Sequence, residues 1–86
     1  MRKIIFSPAA DKEFAGLDGS VKLIFAKHIK KLEIHLPQHY LQSGERYAIE
    51  EIGQGRIVCQ VNGDAITLLH MFTTHKEYEK WYRSLF

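Results

Sequence analysis

Apolar and polar positions change their spacing repeatedly along this chain of 86 residues, and each change marks an element. Residues 3–7, Lys3-Ile4-Ile5-Phe6-Ser7, read as a short strand. Pro8 cannot donate to a ladder but suits the first turn of a helix, with Ser7 before it as cap. A short helix over residues 9–17 follows, with Ala10, Phe14 and Leu17 on one side, until Asp18-Gly19 breaks it. Ser20 is the expected cap of a longer helix from 21 to about 36, in which Val21, Ile24, Phe25, His28, Ile29 and Leu32 recur at helical spacing. Lys22, Lys27, Lys30 and Lys31 take its solvated side, and Pro37 ends it. So short a turn between two helices implies an antiparallel hairpin.

Residues 38–45 are polar and irregular and are expected to form a loop. From Arg46 the period becomes two. Strands are predicted over 46–52, 56–61 and 64–73, joined by Gly53-Gln54-Gly55 and by Asn62-Gly63, whose residues both favour positive φ. The alternation places Ile57, Cys59 and Val61 on one face and Arg56, Val58 and Gln60 on the other. A last helix begins at Thr74, where Thr74 and Glu77 have the spacing of a capping box, each side chain covering a backbone N–H of the other's turn. His75 is then the first helical residue, and Tyr78, Trp81, Tyr82 and Leu85 follow at helical spacing. The expected fold is α+β, one domain over 1–86, in the order β-α-α-β-β-β-α. A helical hairpin packs on an antiparallel sheet, with the C-terminal helix beside the sheet's other, partly open face.

Composition changes this picture little. A hydrophobic fraction of 45% and a charged fraction of 26% belong to a folded globular domain and argue against disorder. No stretch reaches the length of a bilayer span, and Met1-Arg2-Lys3 leads into too short an apolar run for a secretory signal, so a cytoplasmic protein without membrane contact is expected. Cys59 is the only cysteine, which excludes an internal disulfide and a thiolate zinc site. A net charge of +2 permits contact with nucleic acid without requiring it.

The element order, the strand Gly55-Arg56-Ile57-Val58-Cys59-Gln60-Val61, the Asn62-Gly63 hairpin and the run Thr74-His75-Lys76-Glu77-Tyr78 together resemble the RelE/ParE superfamily of bacterial toxins. The last run is most similar to the HigB-like branch. Fold order is shared over nearly the whole chain, and residue-level likeness begins at Arg46. The resemblance implies the toxin of a type II toxin–antitoxin pair. RelE and HigB members cut mRNA in the ribosomal A site without a metal ion or other cofactor, and ParE members poison DNA gyrase. Both are neutralised by a cognate antitoxin protein, and contact with DNA is only indirect, through the antitoxin complex.

Metal-free RNA cleavage needs a base for the 2′-OH, an acid for the leaving 5′-oxygen and a cation at the phosphate. His75, at the positive end of the last helix, is the expected acid or base. Arg56 matches the arginine that contacts the scissile phosphate in RelE-like nucleases. Tyr82, two turns from His75 on the same helix face, and Tyr78, inside the family-like run, are candidates for base stacking or proton donation. A tyrosine with its ordinary pKa near ~10 is a feasible acid and a poor base at neutral pH. Trp81 suits burial on the sheet. Arg46, Lys76, Lys80 and Arg83 either bind RNA phosphates or form a solvated face mixed with Glu77 and Glu79. Glu50 and Glu51 stand where RelE-like ribosome binders carry lysines. Either Glu50 is the general base, as a carboxylate is in some relatives, or the phosphate-binding surface is weakened.

Two other function classes stay open on this sequence. A ParE-like gyrase inhibitor is disfavoured by His75, since ParE members generally lack a catalytic histidine at the last helix. A catalytically inactive module that only binds its antitoxin is favoured by the modest charge and by Glu50-Glu51. An open face bordered by Arg56, Val58 and Gln60 would suit a partner's helix or strand. No metal site is expected from His28, His35 and His39, which Pro37 interrupts and which read as surface residues. His70 reads as a core or groove histidine and Cys59 as a buried, inert thiol.

Overall fold

The computed structural model describes residues 1–43 and 45–85, and for residues 42, 43, 45 and 46 it describes the backbone alone. The order is β1 (Lys3–Phe6), α1 (Pro8–Ala15), α2 (Gly19–Lys31), β2 (His39–Ser43), β3 (Glu45–Ile52), β4 (Gly55–Asn62), β5 (Ala65–Phe72) and α3 (His75–Arg83). The five strands form one sheet in the order β1-β5-β4-β3-β2. β1 runs parallel to β5, and every other pair is antiparallel.

The α+β class and the helical hairpin are as expected, with two differences in the sheet. Residues 39–43, expected as loop, are strand β2, paired from His39↔Ile49 to Ser43↔Glu45. His39-Tyr40-Leu41-Gln42-Ser43 has little local pattern because it is an edge strand, stabilised by its partner more than by its own face. The sheet is also mixed: the two-helix crossover carries the chain from β1 to β2 at the opposite edge, and the β2–β5 meander then brings β5 back beside β1, parallel to it.

Helix and turn boundaries shift for local reasons. Ser7 caps α1 by accepting from the Ala10 N–H, with Pro8 in the first turn. Asp18, not Ser20, is the N-cap residue of α2. That helix ends at Lys31, five residues before Leu36, and the chain tightens through bonds such as Glu33 N–H to Lys30 O before the buried Pro37. The β4–β5 turn is Gly63-Asp64, with Asn62 still in the strand opposite Ala65. Gly63 alone has positive φ there, as does Gly53 in the β3–β4 turn, the pattern of II′ hairpins with glycine first.

The sheet separates two unlike layers. On the α1/α2 side, Ala10, Phe25, Ile29 and Leu32 pack on Ala48, Ile52, Ile57, Cys59, Ile66, Leu68 and Met71 in one apolar cluster. On the other side lies α3, which buries no residue completely. Beneath it Ile49 and Val58, paired across β3 and β4, are nonetheless buried, so Val58 does not border an open face as the alternation suggested.

β5 carries one irregularity that shapes the α3 side. Val58 pairs with His70 and Cys59 with Leu68, so Leu69 is an extra residue in a β-bulge. β1 ends at Phe6, and α1 supplies the polar partners that the exposed stretch of β5 lacks. The Ser7 hydroxyl donates to Leu69 O at 2.8 Å, and Glu13 Oε1 accepts from the Met71 N–H at 2.8 Å. Among the described residues, no helix is long and apolar enough to cross a membrane.

Candidate functional site

The two hairpin turns and the α3 cap deliver the side chains that meet on the outer face. Gly55 begins β4 where a Cβ would lie 3.0 Å from both Phe25 and the Phe72 carbonyl, so only glycine fits without displacement. The next residue, Arg56, therefore emerges on the α3 side opposite Phe72. Its Nη1 folds back over the turn and donates to Gly53 O at 3.0 Å and Gly55 O at 2.8 Å. Glu51, its cross-strand partner, stands 3.8 Å from Nη2. These contacts fix the guanidinium, and its side chain is only 12% exposed.

α3 starts at His75, as the sequence implied, with Thr74 Oγ1 accepting from the Glu77 N–H at 3.2 Å. The reciprocal half of the capping box is absent. Glu77 Oε1 instead accepts from the hydroxyls of Thr73 at 3.1 Å and Thr74 at 3.2 Å. His75 is exposed, and its Nδ1 lies 2.7 Å from Glu79 Oε1, one turn on. A carboxylate there holds the ring proton on Nδ1 and leaves Nε2 turned away from it.

Tyr78 joins these two groups. Its ring centre is 5.6 Å from the Arg56 guanidinium carbon and 6.1 Å from the His75 ring. Burial pushes its hydroxyl pKa above the ordinary value, with Tyr82 and Glu51 adding to the rise and Arg56 opposing it. Tyr78 is thus a neutral donor throughout the physiological range. Tyr82 is the next ring out, 6.1 Å from Tyr78. Trp81 packs inward against Tyr47 at 5.2 Å, His70 and Phe72, the burial foreseen for it.

Four of the sequence candidates, Arg56, His75, Tyr78 and Tyr82, therefore form one contiguous chain of contacts. Glu50 does not belong to it. It pairs with Ile57 across β3 and β4, so it faces α2, and it is fully buried. Its Oε2 is 2.8 Å from both His28 Nδ1 and Lys31 Nζ, while Oε1 has no hydrogen-bond partner among the described residues. A carboxylate walled off by the sheet cannot take a proton from a ligand at Arg56. His28 is correspondingly an anchor for Glu50 and not the surface residue expected. Lys76, Lys80 and Arg83 are exposed on the outer side of α3, with Arg83 tied to Glu79 at 3.0 Å. The side chain of Arg46 lies outside the described residues. Cys59 is fully buried, and its thiol pKa is pushed up to about 12 by desolvation and by Glu50. No group of three metal-ligating side chains occurs among the described residues.

Three carboxylates to which the sequence analysis gave no partner on this face help to shape it. Glu79 was legible as the i+4 neighbour of His75, and Glu51 as the residue facing Arg56 across a two-residue turn. Glu13, which reaches β5 from α1, carries no local mark.

No family model matches the sequence, and no curated protein matches it. Solved structures do. The chain superposes on the isolated RelE toxin of E. coli with a TM-score of 0.76 at 14% identity over 100% of both chains. A RelE–RelB complex from Pyrococcus horikoshii matches with a TM-score of 0.70 at 17% identity, covering 83% of this chain and 92% of that one. A RelB–RelE antitoxin–toxin complex from Methanococcus jannaschii matches with a TM-score of 0.59 at 19% identity, over 91% and 98%. The fold expected from the resemblance is the fold observed: RelE-like.

Proposed function

We propose that this RelE-fold chain is the toxin of a type II toxin–antitoxin pair and acts as a ribosome-dependent mRNA endonuclease. The observation that carries the proposal is the contact chain Arg56–Tyr78–His75, which sets a cation, a neutral hydroxyl and an imidazole on one open face. In this reading Arg56 steadies the scissile phosphate, and its Gly53 and Gly55 contacts keep it in place without reorganisation. His75 Nε2 takes the proton from the attacking 2′-OH, with Glu79 stabilising the imidazolium that forms. Tyr78, kept protonated by burial, donates to the leaving 5′-oxygen, and Tyr82 offers a stacking surface. Lys76, Lys80, Arg83 and Arg46 contribute the phosphate contacts of ribosomal RNA. No metal or cofactor enters these steps.

The partners that follow are mRNA in the ribosomal A site and a cognate antitoxin, supported by the likeness to RelE in two complexes with RelB. Induced expression is expected to stop amino-acid incorporation before DNA synthesis, and co-expression of a small protein encoded next to this chain is expected to prevent it. Inhibited supercoiling with intact mRNA would instead identify a gyrase poison. A second reading has its own support. Arg56 is largely covered and already bonded to two carbonyls, as an arginine retained for structure would be. An inactive antitoxin-binding module would be harmless when expressed alone.

A further inference from the structure

Beside the Arg56 contact chain, the same face holds a cleft of about 490 Å³ whose lining includes Tyr47, Gln60, Leu69, His70 and Trp81. Its volume is that of a small-ligand site. Three features give it a defined chemistry. Three of its lining residues present rings, Trp81 meeting Tyr47 edge-on at 5.2 Å and lying tilted against His70 at 6.1 Å. The His70 ring is stacked on Phe72 at 5.6 Å, and its Nδ1 faces Glu13 Oε2 at 3.4 Å, so Nε2 is the nitrogen left for a ligand. Glu13 is itself fixed, because its other oxygen holds the Met71 N–H. The bulge at Leu69 puts His70 and Phe72 side by side on this face, opposite Val58 and Arg56.

We infer that this cleft is a nucleobase subsite, in which a base of the RNA substrate packs against Trp81 and hydrogen-bonds to His70 Nε2. The inference rests on the nuclease reading for the identity of its ligand. Position favours a base over a protein side chain. His70 lies two strand residues from the Phe72–Arg56 pair, about 7 Å along the sheet. A phosphate at Arg56 therefore brings an adjoining base over the cleft. Aromatic walls with few fixed polar atoms are how single-stranded bases are held. His70 would thereby set which nucleotide is accepted next to the cut.

Trp81 is the only tryptophan, so its fluorescence reports occupancy of the cleft directly. The full chain is titrated with each of the four ribonucleosides, which carry no phosphate, while Trp81 emission and the His70 ring resonances are followed. A saturable response at both rings to at least one nucleoside is expected, weakened at least fivefold by His70→Ala and unaffected by Lys27→Ala on α2. Should His70→Ala fail to fold, His70→Gln replaces it, with at least a twofold loss expected. No saturable response to any nucleoside, or equal binding by the folded His70 variant, overturns the assignment. Nucleoside binding without ribosome-dependent cleavage supports the subsite and removes the nuclease reading. Cleavage without nucleoside binding does the reverse.

Discussion

The two faces of the sheet use the same strands for opposite purposes. Toward α1 and α2, Ile57, Cys59, Ile66 and Leu68 are fully buried, and the one carboxylate among them, Glu50, is held by His28 and Lys31. Toward α3, the Tyr78 ring is partly exposed and His75 exposed, Arg56 lies largely covered between them and the β3–β4 turn, and the helix above buries nothing completely. One face excludes water, and the other leaves aromatic and charged side chains partly open to it. Adjacent residues of one strand fall on different sides of that divide. Glu50 is structural and Glu51, its neighbour, approaches Arg56. Stability and chemistry should therefore separate by face.

The largest effect is expected on the buried face. Ile57→Ala should cost about 2–5 kcal/mol in denaturant-induced unfolding, through lost burial and the cavity left behind. The Glu50 cluster should behave asymmetrically. Replacing both His28 and Lys31 with Ala leaves an uncompensated buried carboxylate and should cost about 3–5 kcal/mol. Glu50→Leu should stay within about 1 kcal/mol of the parent or exceed it, with cleavage retained. Loss of cleavage by a folded Glu50→Leu variant would return that carboxylate to the chemistry and collapse the division between faces.

On the α3 face the ranking inverts. His75→Ala and Arg56→Ala should each lower the cleavage rate about 10²- to 10³-fold with little change in melting temperature. Tyr78→Phe should retain the fold and lose roughly tenfold in rate, within the usual range for removing a proton donor. Its raised pKa has a definite sign. Folding favours the protonated hydroxyl, so the contribution is complete below the unfolded-state value near ~10 and is lost as pH rises through the folded value. Spectrophotometric titration should show a late tyrosine ionisation step, and that step should vanish in Tyr78→Phe. The smallest effect concerns Cys59. With its pKa near 12, it should resist thiol reagents at pH 8 until the chain unfolds.

What was legible in the sequence divides along the same line. The period of two from Arg46 correctly assigned Ile57 and Cys59 to one face and Arg56 to the other, because alternation is local. The Ser7 and Thr74 caps were legible for the same reason. β2 was not, since an edge strand takes its stability from a partner that its own residues do not reveal. Glu50 resembled a surface carboxylate because its two side-chain partners, His28 and Lys31, come from a helix about twenty residues earlier. The turn at Gly63-Asp64 slipped by one residue from Asn62-Gly63, as only one positive φ was needed. Arg56, His75, Tyr78 and Tyr82 could be named individually. That Tyr78 rather than Tyr82 is the ring joining Arg56 to His75 depends on how α3 lies over β4, which helical spacing alone does not fix.

Primer extension on mRNA from reconstituted elongating ribosomes tests the central claim most directly, comparing the parent chain with folded Arg56→Ala and His75→Ala variants. The account predicts breaks within the A-site codon for the parent, none without ribosomes, and at least a hundredfold fewer with either variant. Equal cleavage by all three proteins, or no A-site breaks with the parent, would contradict it.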